Sequence, residues 1–254
     1  MTLERKDQIR ALLKGIETGD AAAAAVVSPD KYIQHNPQTH EGNEGLAALF
    51  KRLSKSNPRV NIVRAFEDGD YVFAHTEYDF ASSKIGFEVF RFEADLVVEH
   101  WDNIQQRQGP NLSGHSMVDG PTEATDVTRT ESNREFVRSF IDDALVNGRL
   151  QNLERFIDDE RYTEHSPRIA DGLPALRSAL EAESDKGSTI QYDRIHRVLA
   201  EGNFVLVVSE GALGGVHSSF YDLFRVAGGR IAEHWGTTET IAPRSEWKND
   251  NGKF

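Results

Sequence analysis

Glu99-His100-Trp101-Asp102 closes a run of alternating strand residues. Successive strand side chains take opposite faces, so His100 and Asp102 share one face while Glu99, Trp101 and Asn103 take the other. An imidazole and a carboxylate placed this way can converge on one ligand. In an apolar cavity the pair suits proton abstraction beside a carbonyl group, followed by return of the proton. Burial and hydrogen bonding bring the base towards the working pH, and a neighbouring donor stabilises the enolate oxygen. Asp102 or His100 is expected as the base. His75, in the middle of another strand, and His35, two residues before Pro37, are expected as donors or substrate positioners. Such chemistry needs no metal and no nucleotide, and no cofactor is expected.

Other chemistries lack their signatures. The chain has no helical His-Glu-x-x-His spacing and no carboxylate-rich octet, so His35, His75 and His100 are not expected to hold a metal. Gly214-Gly215 and Gly228-Gly229 read as hairpin turns, because neither opens a helix after a strand. No nucleophile-elbow motif supports acyl transfer. The count of cysteines is 0, which excludes disulfides and thiolate chemistry.

The 254 residues fit one large domain or two of about half that length. With 38% hydrophobic and 28% charged residues, the composition is that of a soluble globular protein. A net charge of −12 disfavours nucleic acid and anionic membranes, which reward clustered Lys and Arg. The N-terminus is charged and carries no signal-peptide core, and no apolar run approaches a membrane span. A cytoplasmic protein is the default expectation.

The elements that must position the candidate residues come twice. A helix capped by Thr2 is expected to run to about Thr18, with Leu3, Ile9, Leu12, Leu13 and Ile16 on one face and Gly19 as stop. A short alanine helix, then Tyr32-Ile33-Gln34-His35-Asn36-Pro37, then a helix from Asn43 to about Ser54 follow. Strands are expected at Val60 to Phe66, Tyr71 to Phe80, Gly86 to Glu93 and Leu96 to Ile104. Helices first and an antiparallel meander after argue α+β. Residues 107–129, rich in Gly, Pro, Ser and Thr, read as a linker. The programme then restarts. Tyr162 to Pro167 matches Tyr32 to Pro37 at an offset of 130, and Glu233-His234-Trp235 matches Glu99-His100-Trp101 at 134. Offsets that drift only between elements are the mark of duplicated domains with loop insertions. The expected layout is domain 1 at 1–106, the linker, domain 2 at 130–243 and a tail at 244–254. Two copies suggest a pseudo-dimer within one chain, with further homodimerisation left open.

Tyr-Ile-Gln-His-Asn-Pro, a Gly-led helix, Gly-Asp-Tyr-Val-Phe-Ala-His, Phe-Arg-Phe and Glu-His-Trp-Asp-Asn-Ile-Gln together resemble the SnoaL-like branch of the nuclear transport factor 2-like superfamily. Within it, the series is similar to aldol-condensation and polyketide cyclase-like proteins. The resemblance covers most of 1–106 and, more loosely, 130–243. It implies two cone-shaped α+β barrels, each a strongly bent sheet around a long helix with a deep, mostly apolar cavity. It also implies cofactor-free lyase or isomerase chemistry (aldol cyclisation, isomerisation or dehydration) on a small apolar carbonyl compound. The ligand-binding set is then His35, Tyr32, Tyr78 and Glu88, with His165, Glu210, Asp222 and His234 in the second copy. The pattern departs in two places. Related sequences often carry Asp before the hydrophobic-Phe-Arg segment, where the first copy has Glu88 and the second Asp222. The second copy also has Gly236 at the Asp102 position and Val208 at the His75 position, so it is expected to be the poorer site.

Blander readings stand beside these. His35 and His165 both precede a proline and would cap a helix or satisfy backbone groups. His100 and His234 are both kept although one copy lacks the Asp, which fits a shared structural role. Trp101 and Trp235 read as packing anchors. A non-catalytic carrier of a small hydrophobic ligand and a protein-interaction scaffold are the alternative functions.

Overall fold

The computed structural model describes residues 4–159, 161–184 and 187–254. Thr2, the expected helix cap, and Leu3 lie outside them. The chain divides into two compact units, one of Met1–Gln106 with Ala242–Phe254, the other of Arg107–Ile241.

In the first unit, α1 (Arg5–Thr18) buries Ile9, Leu12, Leu13 and Ile16, a helical spacing that makes one apolar stripe. Gly19 ends it in the left-handed region (φ 68°), its N–H bonded to Gly15 O. The alanine run forms a 3₁₀ helix, Ala21–Val26, started by the Asp20 side chain accepting from Ala22 N–H. There follow β1 (Ile33–Gln34), α2 (Gly42–Leu53), β2 (Arg59–Asp68), β3 (Tyr71–Asp79), β4 (Ser83–Glu93) and β5 (Leu96–Gln106). The sheet order is β1-β5-β4-β3-β2, antiparallel except where β1 joins β5 in parallel. The hairpin between β4 and β5 turns on Ala94 and Asp95, both at positive φ (47° and 67°), which matches the twist of the strands. Register shifts at Ile62/Arg64 and Arg91/Phe92 bend the sheet. Its concave face packs Val72, Ala74 and Phe90 on α1.

The second unit repeats the plan. It contains α3 (Thr130–Phe140), which runs on into a π-helical turn at Ile141–Val146, then α4 (Leu153–Phe156), β6 (Thr163–Glu164) and α5 (Leu173–Glu181). The short pair β7 (Glu183–Ser184) and β8 (Gly187–Ser188) precedes β9 (Ile190–Glu201), β10 (Phe204–Leu213), β11 (Val216–Ala227) and β12 (Arg230–Thr240). The order β6-β12-β11-β10-β9, again with one parallel edge, reproduces the first sheet element for element. The protein is therefore two tandem α+β cones, each with helices on a curved, mainly antiparallel sheet. Among the described residues, no helix is long and apolar enough to cross a membrane.

Each unit is closed by an irregular strap. The segment after β5, read above as a linker, belongs to the second unit. There Asn111 Nδ2 donates to Glu164 O (2.6 Å) and Ile169 O (2.9 Å), while its Oδ1 accepts from Ser113 N–H (3.0 Å). The segment after β12 belongs to the first unit. There Asn249 Nδ2 donates to Asn36 O (2.8 Å) and Thr39 O (2.9 Å), while its Oδ1 accepts from Asn251 N–H (3.2 Å). Asn111-Leu-Ser-Gly114 and Asn249-Asp-Asn-Gly252 are thus a second repeated motif, and its work is to hold strap to loop.

Candidate active site

Register decides which side chains meet. In the first unit Ala74 pairs with Glu88, and Glu88 with Asp102, so these residues share the concave face with Tyr78 and His100. The His100 ring stacks on Phe90, centroids 4.5 Å apart. Its Nε2 lies 2.7 Å from Glu88 Oε2. Its Nδ1 donates to Gln34 Oε1 (3.1 Å), which also accepts from Asn36 N–H. Tyr78 donates to Glu88 Oε1 (2.7 Å), and the Tyr32 ring lies along the other side of His100 at 6.5 Å. Burial, reinforced by the Glu88 charge, pushes both phenols well above the ordinary tyrosine range. Asp102 Oδ2 accepts from Asn36 Nδ2 (2.7 Å). Lys253, on the strap, brings its ammonium to 2.8 Å from Asp102 O and 3.6 Å from Oδ1. Of the residues expected at this site, Asp102, His100, Glu88, Tyr78 and Tyr32 come together.

His75 and His35 do not join them. His75 pairs with Phe87, one residue out of step with Ala74, and therefore points to the opposite face. Its Nδ1 accepts from Arg64 (2.7 Å) and its ring meets Phe87 edge-on. His35 stacks on Trp101 (4.6 Å), faces Glu99 with Nε2 (2.9 Å) and donates from Nδ1 to Gly252 O of the strap (3.0 Å). His165 repeats this on Trp235 (4.6 Å), Glu233 (2.8 Å) and Ser116 O (2.8 Å). Both histidines clamp a strap by bonding its backbone carbonyls, as one of the two blander readings expects, and neither caps a helix.

The second unit, expected to be the poorer copy, carries the longer chain of titratable groups. His234 donates from Nε2 to Asp222 Oδ1 (3.0 Å) and from Nδ1 to Glu164 Oε1 (2.9 Å). Tyr162 donates to Glu164 Oε2 (2.6 Å), and Tyr192 to Asp222 Oδ2 (3.1 Å). Burial alone would lower the imidazole's pKa, but the charge of Glu164 and the bonds from both carboxylates outweigh it and lift His234 to about 10. The same balance acts on Glu164: burial raises it, and the facing imidazolium brings it below the usual carboxylate value. Tyr192 is pushed up by burial and then by Asp222, so it stays a neutral donor. Gln34 and Glu164 occupy one position in the repeat. The exchange makes a neutral neighbour in one unit and a second carboxylate in the other.

Glu210 lies elsewhere, since it pairs with Ser219, out of step with Asp222. His196, His217 and Arg194 bond it near the surface. Burial raises its pKa, but those bonds outweigh it and hold it at about 2.

A cavity of about 410 Å³ opens in the second unit between the apolar side chains of Leu145, Leu150, Leu180 and Ile190 and the polar ones of Asn147, Gln191, Tyr192 and Asp193. Tyr192 thus joins the cavity wall to the Asp222–His234–Glu164–Tyr162 chain. In the first unit, Glu88, His100 and Asp102 place potential metal-ligand atoms within 4.8 Å of one another. Lys253 already supplies positive charge beside Asp102.

Residues 9–100 and 137–234 match the family model of the SnoaL-like domain. No curated protein matches the sequence. Among solved structures, TsrD from Streptomyces laurentii is 21% identical, with 41% of this chain and 92% of that chain covered and a TM-score of 0.36. A protein with a ketosteroid isomerase-like fold from Catenulispora acidiphila DSM 44928 is 18% identical, with 42% and 88% covered and a TM-score of 0.35. An NTF2-like protein from Cytophaga hutchinsonii ATCC 33406 is 12% identical, with 41% and 93% covered and a TM-score of 0.35. With one match in each half, together spanning most of the sequence, the chain belongs to the SnoaL-like domain family and carries that domain twice.

Proposed function

We propose that the protein is a cofactor-independent acid/base enzyme for a small, mostly apolar carbonyl compound, with the second unit as the reacting cup. The observation that carries this reading is the cavity, walled by Leu145, Leu150, Leu180 and Ile190 on one side and by polar groups on the other, whose wall residue, Tyr192, donates to Asp222. A carbonyl oxygen entering the cavity takes over the Tyr192 O–H as its donor. That frees Asp222 Oδ2 to accept the proton from the carbon next to the carbonyl. The C–H electron pair moves into the enolate, whose oxygen Tyr192 stabilises. Returning the proton to a different carbon completes an isomerisation; attack of the enolate carbon on a second carbonyl in the same molecule completes an aldol cyclisation. His234, held between two carboxylates, fixes the orientation of Asp222 throughout.

Deuterium uptake from D₂O at the α-carbon of small ketones and 1,3-diketones tests this without knowledge of the natural substrate. The wild-type protein is expected to exchange at least one of them faster than buffer. Asp222→Asn should lose about a hundredfold or more, the usual scale for a general base. If no compound exchanges above buffer, or if Asp222→Asn exchanges as well as wild type, the reading fails. A carrier of the same ligands would bind them without exchange.

A further inference from the structure

The strap of the second unit gathers a group of side chains that the acid/base chain does not use. His115 and Asp119 on the strap and His165 on the loop after β6 each present one atom able to bind a metal ion, all within 4.8 Å of one another. A carboxylate already orients each imidazole. His115 Nε2 lies 3.0 Å from Asp171 Oδ2, and His165 Nε2 2.8 Å from Glu233 Oε1. A carboxylate behind the imidazole is how metal-binding histidines are fixed in tautomer and aimed with the other nitrogen. His165 Nδ1 faces two acceptors at once, Asp119 Oδ1 at 2.6 Å and Ser116 O at 2.8 Å. One N–H cannot serve both well, whereas a cation in the group would bind the Asp119 oxygen and the deprotonated nitrogen. The other Asp119 oxygen is held by Ser116 N–H (3.1 Å), so the carboxylate is already turned towards the group. His165 is buried, with a side-chain exposure of 1%, while Asp119 is 46% and His115 35% exposed, so one side of the group is open to solvent. The corresponding strap of the first unit has Lys253 after the shared glycine, which cannot serve as a ligand while charged.

We infer that His115, Asp119 and His165 form a binding site for a first-row divalent cation of the Zn²⁺ type, with at least one coordination position left open. Two imidazoles and one carboxylate suit Zn²⁺, whereas Mg²⁺ prefers an all-oxygen shell. Asp119, Asp171 and Glu233 stand in or behind the group; Arg225 pairs with Glu233 (2.6 Å), and a dication adds positive charge beside the other two. Bound metal ties residues 115 and 119 to the loop at 165 and so fastens the strap.

The test uses the untagged full chain, stripped with a chelator and titrated with ZnCl₂ and separately with MgCl₂ by calorimetry, with thermal unfolding alongside. Zn²⁺ is expected to bind at one equivalent and to raise the melting temperature, and Mg²⁺ to do neither. His115→Ala, at a half-buried strap position, and Asp119→Asn, at an exposed one, are each expected to weaken Zn²⁺ about tenfold or more. Melting of the metal-free variants at the wild-type temperature shows that each is folded. Absence of Zn²⁺ binding, equal binding of Mg²⁺, or Zn²⁺ affinity unchanged in both variants would overturn the site. None of these results depends on whether the cavity is catalytic.

Discussion

Replacing His234 with leucine is expected to destabilise the second unit by about 3–5 kcal/mol, the usual cost of removing one partner from a buried charge group. The substitution leaves Glu164 and Asp222, both buried, without the donor they share. The same physics sets a pH dependence. The folded pKa of His234, about 10, stands above its ordinary value of 6.5. Its contribution is therefore fully present below about pH 6.5 and is lost as pH rises towards 10, an effect of at most about 5 kcal/mol. Glu164 acts at the other end: its pKa is depressed, so its contribution holds above the ordinary carboxylate value and fades as pH falls through the folded one. Urea unfolding, followed by amide exchange in β12, should give a midpoint that declines between pH 7 and 10 in the wild type and is flatter in His234→Leu. A flat wild-type profile together with an unchanged variant would refute the account.

The second large effect concerns the strap of the first unit. Lys253→Met is expected to cost about 3 kcal/mol, because Asp102, buried beside Glu88, loses its cation. The second unit shows what relieves this. The residue after the strap carbonyl bonded by the clamping histidine is Lys253 in one case and Met117 in the other. The matching position of the closing strand is Asp102 in one and Gly236 in the other. Asp102→Gly should therefore recover most of the loss in the Lys253→Met background, short of about 1 kcal/mol for glycine in a strand. The two changes are coupled, by about 2 kcal/mol in a double-mutant cycle. Additive effects would mean that Lys253 and Asp102 act independently.

The repeat, the helix-then-meander order and the shared face of His100 and Asp102 were readable in the chain, because each depends on local period or on self-similarity. Glu88 and Asp222 came from the family resemblance, which implies a carboxylate ahead of the Phe-Arg pair. What could not be read was which faces of separate strands coincide. That needs the pairing of Ala74 with Glu88 and of Glu88 with Asp102, and this register puts His75 on the wrong side. Tyr192 was missed for a related reason. It reaches Asp222 across register shifts at Val208/Ser209 and Glu210/Gly211 that no local pattern announces. Lys253 is one lysine in a polar stretch, 151 residues from its partner. Glu164 had a signal that went unused: it stands one residue from His165 and shares strand parity with Tyr162, whose hydroxyl it accepts.

The discontinuity of the first unit bears on how the protein folds. The second unit is continuous from Arg107 to Ile241, so its contacts can form as soon as that stretch has been made. The first unit has its helices and sheet early, yet the cation that faces Asp102 arrives only after 151 more residues. Closing so long a loop slows the event far more than it weakens the product. During synthesis the N-terminal cup therefore waits, its Asp102 held by Asn36 but still without Lys253, while the C-terminal one is completed. The order of maturation runs opposite to the order of translation.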